Sequence, residues 1–289
     1  MLKRLWQQVA SVSTWLKTQL WSNPLVSLPA AALSLLFIWM VWQTHKVNNL
    51  GFGGKTFWDW MELLIVPVVL AISALLFSRA ERRAERRIAA SRFQEEALQI
   101  YLDRMTDLLL ERDLLTSEHN AGVPTVAKAQ TLTTLRILDG KRKGVVLKFL
   151  SDSGLITRGK SVISLEKADL CEADLSEADL YETHLGGANL RRANLRGALL
   201  CKSWLVEADL CQVSLKGADL RGCNLSGANL ASADLREVVL EGDSREEVAN
   251  LLDVNLDGAN LKGAFVSDEQ LWHARSLRGA IMPDGTKHD

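Results

Sequence analysis

Between Leu165 and Leu240 leucine returns at every fifth position, sixteen times in succession. The position two before it is usually alanine, as in Ala168-Asp169-Leu170, Ala188-Asn189-Leu190 and Ala218-Asp219-Leu220. A helix buries positions at a period of about 3.6 and a strand at a period of about two, so a strict period of five fits neither and marks a repeat architecture. A surface built this way is an interaction surface before it is an enzyme.

The pattern upstream is of a different kind. The run from Ser22 to Thr44 carries no formal charge, and it is long enough for a bilayer that needs about 20 apolar residues. Leu63 to Ser78 is a shorter uncharged run, and Trp60, Met61 and the stem of Arg79 complete it as a second span. A cleaved signal peptide is the rival reading, but the apolar run is too long and lacks a small-residue cleavage site. Lys and Arg number three before the first span, two between the spans and six from Arg79 to Arg92. That asymmetry predicts both termini in the cytoplasm of an integral membrane protein, in a bacterial inner membrane. Over residues 1–22, Leu2, Leu5, Val9, Val12, Leu16 and Leu20 recur at helical spacing with Trp6 and Trp15 beside them, as in an interfacial amphipathic helix. The two transmembrane helices then occupy 23–78.

After the second span, residues 79–156 read as a basic juxtamembrane helix and a helical module. Arg79 to Arg87 is a stop-transfer anchor that anionic headgroups would also attract. Leu98, Leu102, Met105 and Leu109 form a stripe suited to a core or to a coiled-coil seam, which would make the module a route to homo-oligomers. Two more helices are predicted, Thr125 to Leu138 stopped by Asp139-Gly140, and Lys141 to Ser153 stopped by Gly154.

The run of A(D/N)LXX units, with Ala173-Asp174-Leu175-Ser176-Glu177 a well-matched example, resembles the pentapeptide repeat family. The resemblance implies a right-handed quadrilateral β-helix in which four pentapeptides make one square turn. The central leucines (Leu170, Leu175, Leu180, Leu190, Leu195, Leu200, Leu210, Leu220 and Leu230 among them) and the alanines before them then point inward. Stacked leucines offset chain ordering at roughly 2 kcal/mol each, provided that neighbouring turns cover them.

The β-helix is expected over 163–266, interrupted by a helical insertion at 243–253. There Ser244-Arg245-Glu246-Glu247 is a capping box followed by Val248, Leu251 and Leu252 at helical spacing. The pattern resumes at Leu256 and Leu261 for at most one turn. Residues 267–289 form a cap and tail, opened by a second capping box at Ser267-Asp268-Glu269-Gln270.

Candidate chemistry is sparse. The four cysteines show no Cys-x-x-Cys, and with four pentapeptides to a square turn Cys171 and Cys211 lie two turns apart, too far for a disulfide. Five histidines are scattered, and Gly53-Gly54-Lys55-Thr56 lacks the first glycine and the preceding strand of a Walker A loop. No catalytic, cofactor or metal site is predicted, and no enzymatic activity.

Charge is more informative. The net charge is −1 overall, yet Glu166 to Glu182 holds seven acidic residues and one lysine, whereas Arg191, Arg192, Arg196 and Lys202 follow in the next turn. Arg191, Arg192, Arg196, Lys216 and Arg236 are the candidate interaction face, with Arg196, Lys216 and Arg236 stacked in successive turns. The reading is a membrane-anchored scaffold that presents this face to a cytoplasmic protein. The alternatives are an auxiliary or sensor subunit of a membrane complex, and the topoisomerase-binding DNA mimics known in the family. Residues 163–241 hold thirteen acidic and eight basic residues, broken by a basic turn. That departs from a rod acidic along its length and disfavours the DNA mimic, and the overall charge of −1 gives no bias toward nucleic acid, which is not expected as a partner.

Overall fold

A computed structural model describes residues 57–111, 122–156, 161–242, 244 and 247–289, with side chains from Ala74 onward except those of Ala80 and Glu111. The expected interfacial helix over 1–22 and the first span lie outside the described residues. The second span falls on α1, a helix over Phe57–Glu111. Among the described residues no helix is long and apolar enough to cross a membrane. The expectation of two transmembrane helices over 23–78 therefore receives no support from the structure, because the apolar run that prompted it lies almost entirely before the first described side chain.

Residues 84–289 form one compact unit. Within it, the Leu98 and Met105 stripe of α1 is buried, and Tyr101, which the stripe did not include, is only 3% exposed. These side chains meet α2, Gly122–Leu135. Here the Tyr101 hydroxyl shares a buried hydrogen bond with Thr131 Oγ1 at 2.9 Å. Burial pushes the Tyr101 phenol up to about 12, against the weaker effect of Thr131. The stripe is thus core within one chain.

Helix α3, Gly140–Asp152, begins where Asp139 accepts a hydrogen bond from the Arg142 amide. It ends in a left-handed Gly154 (φ 68°). The amides of Gly154 and Leu155 there return to the carbonyls of Ser151 and Leu150, the Schellman arrangement. Both α2 and α3 start and finish within three residues of the sequence expectation.

The fifth-residue leucines form a solenoid with four pentapeptides to the turn. Asp169 bridges Asn189, Asn189 bridges Asp209, and Asp209 bridges Asn229, all in parallel. Each wall is a single-residue bridge rather than a strand, because a β-turn follows almost at once: the Ala168 amide returns to the Leu165 carbonyl at 3.0 Å. That turn needs a left-handed residue at its third position. Glycine supplies it at Gly187 or Gly197, but eleven non-glycine residues, Lys167 and Glu177 among them, take φ of 55–59°. Such residues carry a cost of roughly 1–2 kcal/mol each, which the ladder must offset. The nine named core leucines are at most 2% exposed.

One interior column is polar. Thr183, Ser203 and Cys223 replace alanine in successive turns, and all three are buried. Ser203 Oγ donates to the Leu180 carbonyl and Cys223 Sγ to the Leu200 carbonyl, each at 2.6 Å. Thr183 Oγ1 has no partner among the described residues.

Two expectations beyond Leu240 need correction. Asn250, Leu251 and Leu252 are not part of a helical insertion. Asn250 bridges Asn224, Leu251 is buried at 3% and Leu252 is 47% exposed, the alternation of a solenoid wall. Six residues are inserted instead, since rungs 20 apart elsewhere (Asp209 to Asn229) are 26 apart here (Asn224 to Asn250, Asn229 to Asn255). An insertion of one repeat plus one residue mimics helical spacing locally, and that misled the pattern. Resumption therefore begins at Leu251, one unit before Leu256.

The tail is also not merely a cap beyond 266. Helix α4, Asp268–Trp272, opens with the expected capping box between Ser267 and Gln270, and its Leu271 is buried. The chain then rejoins the ladder, with Asn255 bridged to Ser276 and Asn260 to Ile281, before Lys287 folds back antiparallel on Ile281.

Candidate functional site

The two ends of the solenoid are covered by the chain itself. At the first turn, α3 lies against the open edge. The Asp174 amide donates to Gly140 O at 2.9 Å, Ser151 Oγ donates to Asp179 O at 2.7 Å, and the buried Lys143 donates to Cys171 O at 3.2 Å. Lys143 also lies 3.6 Å from Asp169. A buried cation is tolerable here because a carbonyl and a carboxylate both face it. At the far end, Gln270 sends its amide to the carbonyls of Leu240 and Ala249. Sequence reasoning missed the glycines of α3. Gly140 and Gly144 are four apart, and a Cβ at either would run into the carbonyl of Glu172 or Asp174.

With the ends covered and the interior filled, the walls remain. Of the five candidate residues, Arg191 pairs with Asp209 at 3.1 Å, and its guanidinium is held further protonated by that hydrogen bond. Arg192 lies 3.7 Å from Glu172 and donates to Gln212. Lys216 pairs with Glu237 at 3.3 Å, and Arg236 with Asp234 at 2.7 Å. The Arg236 hydrogen bond, outweighing partial burial, keeps the Asp234 carboxyl below its ordinary range. Arg196 makes no ion pair among the described residues. The structure therefore gathers Arg196, Lys216 and Arg236 on one corner, but most of their charge is already answered. Lys262 belongs to the same corner, one turn beyond Arg236, and the insertion after Leu240 hid it from the fifth-residue pattern.

Burial raises the Asp219 carboxyl, but hydrogen bonds from Arg221 and Cys201 outweigh it and leave the group lowered. The four cysteines are free thiols. Burial, with Asp219 beside it, pushes Cys201 up to about 11, and burial raises Cys223 further. Among the described residues no cluster of histidine, cysteine and carboxylate side chains is arranged to hold a metal ion. A cavity of about 280 Å³ lies between α1 and α2, lined by Ile100, Tyr101, Arg104 and Gln130 among others. A groove of about 640 Å³ runs between α3 and the first turn.

Known proteins show the same repeat. The family model described as pentapeptide repeats matches in eight copies over residues 163–201 and 205–242. No curated protein matches the chain. Among solved structures, a pentapeptide repeat protein of the Arabidopsis thaliana thylakoid lumen is 28% identical, over 37% of this chain and 70% of its own, with a TM-score of 0.29. A pentapeptide repeat protein of the cyanobacterium Cyanothece 51142 is 32% identical, over 38% of this chain and 68% of its own, with a TM-score of 0.26. HetL of Nostoc sp. strain PCC 7120, a pentapeptide repeat protein involved in heterocyst differentiation regulation, is 30% identical over 46% of this chain and 81% of its own, with a TM-score of 0.15. The fifth-residue leucine core, the rungs set four pentapeptides apart and the eight matched copies together make this chain, through residues 163–242, a member of the pentapeptide repeat family.

Proposed function

We propose that the chain is a membrane-anchored, non-enzymatic scaffold whose solenoid walls present a rigid surface to a cytoplasmic protein. The observation that supports this most is the coverage of both solenoid ends by α3 and by α4 with the tail. A prism sealed at its ends and filled with leucine has only its walls to offer, and wall side chains on a stacked ladder are held in fixed register. Anchoring rests on the sequence, on the uncharged run from Ser22 to Thr44, the apolar run from Leu63 to Ser78, and the arginines that follow. A DNA-mimic role fits less well, because residues 183–206 contain no aspartate or glutamate.

The test is in-cell cross-linking from a photoreactive residue at position 216, followed by mass spectrometry of the carbonate-washed membrane fraction. A reproducible client in that fraction is the expected result. Absence of the chain from the washed membranes removes the anchor from the proposal. Only self-cross-links, or none from any wall position, remove the scaffold.

A further inference from the structure

We infer that the second turn of the solenoid carries a docking site for an acidic, leucine-bearing segment of a partner protein, formed by Arg196, Leu199, Lys202 and Trp204. The inference rests on the scaffold reading and names the class of partner.

Residues 183–206 are free of acidic side chains, and they contribute Arg191, Arg192, Arg196 and Lys202. The first two are answered by Asp209 and Glu172. Arg196 and Lys202 have no ion-pair partner among the described residues. They stand on the two corners that bound one wall, and the outward residue of that wall is Leu199, 48% exposed. Past Lys202 the next wall turns out Trp204, 56% exposed.

Leucine and tryptophan at such exposure are out of place on a wall whose equivalent outward positions are mostly aspartate, asparagine or serine: Asp219 follows Leu199 one turn on, and Asn224 follows Trp204. Trp204 is also held in place. It meets the His184 ring edge-on at 5.8 Å between centroids, and its backbone bonds to Thr183 O at 3.0 Å and accepts from Leu185 N at 2.8 Å. An anchor ordered in advance loses little freedom on binding, and Trp and Arg are the side chains on which binding energy concentrates.

The charge decides the partner. Asp219, above Leu199, is engaged by Arg221 at 2.6 Å, and Lys216 lies above Arg196. Asp179 and Glu182, one turn below, repel an acidic segment and so hold it on the second turn, since Lys216 on the turn above is already paired with Glu237 at 3.3 Å. An apolar side chain between carboxylates matches Leu199 between Arg196 and Lys202, and a second one beyond them matches Trp204 on the adjoining wall.

The test uses the full chain in detergent and a short fluorescein-labelled peptide of Glu-Glu-Leu repeats, followed by anisotropy. The expected result is saturable binding that weakens with added salt, falls about tenfold in Arg196→Ala and in Trp204→Ala, and is unchanged in Arg236→Ala, whose cation is already paired. Leu199→Ser, which leaves every charge in place, should also weaken it, and each variant is checked for a wild-type melting curve. Binding that is equal in all variants, or absent, overturns the inference. So does binding of the same variant-sensitive kind to phosphatidylglycerol vesicles but not to the peptide, or loss of a self-associated form in Trp204→Ala. If the peptide fails while position 216 still cross-links a client, the scaffold stands and this site does not.

Discussion

The amide of Asp174 donates to the carbonyl of Gly140 at 2.9 Å, so the first residue of α3 completes a rung that the first turn of the solenoid would otherwise leave open. An unpaired ladder edge is a template for unwanted association, and repeat proteins need an end piece with a polar outer face. Here α3 is that piece. Arg142 ties it back to α1 through Glu95 at 2.9 Å and through Ser91.

Contact this close depends on glycine. Gly144→Ala places a methyl group inside the Asp174 carbonyl, and the expected cost is about 1–3 kcal/mol, read from urea denaturation. Gly122→Ala has no heavy atom within 4 Å of the added methyl and should change stability by less than about 1 kcal/mol. Equal behaviour of the two variants would mean that α3 does not seat on the first turn.

Leu200 is fully buried at the centre of the stack. Leu200→Ala should cost about 2–5 kcal/mol by opening a cavity. Leu200→Asp, which puts an unpaired carboxylate in a dry core, should abolish the protease-resistant fragment. Full resistance in the aspartate variant would contradict the inward placement of this column.

Asp174, Asp219 and Asp234 all have carboxyls held below their ordinary value of 3.8, the first mainly by the Ser176 hydroxyl, the second by Arg221 and Cys201 against burial, and the third by Arg236. A carboxyl lowered on folding contributes stability that is present above 3.8 and is lost as the pH falls through its lower folded value. The stability that these three carboxyls contribute should therefore be lost on acidification below about pH 4. Asp234→Asn should flatten that part of the profile, and an unchanged acid limb would show that the Arg236 pair contributes nothing.

Cys223 is buried, and Cys201 titrates only near 11. At neutral pH, iodoacetamide should leave both largely unmodified in the folded protein, and Cys223 should react only when the solenoid opens, which makes its alkylation a measure of unfolding. Rapid native labelling of Cys223, read by peptide mass spectrometry, would place it outside the core.

The cap and the wall differ in how far the sequence exposed them. Helices α2 and α3 were legible because Asp139, Gly140 and Gly154 carry local stop and start chemistry. The seat of α3 on the first turn was not, since a glycine four positions from another in a helix says nothing until a carbonyl is found against it. The resumption at Leu251 was misread because the insertion puts leucines briefly at helical spacing. Leu199 and Trp204 stayed unremarked beside Arg196 and Lys202 for a related reason: they occupy different repeat positions, and a pattern read one position at a time does not bring corners and adjoining walls together.

The sequence by itself determined that residues 165–240 are a repeat, since leucine at a period of five fits neither a helix nor a strand. The resemblance of its units to the pentapeptide repeat family implied the square turn in which each repeat needs only its neighbours. The tertiary structure alone decided which charges on that solenoid are free. Pairing between Arg191 and Asp209 or Lys216 and Glu237 depends on residues about a turn apart approaching within reach, and that distance is set by the stacking of turns rather than by any spacing along the chain.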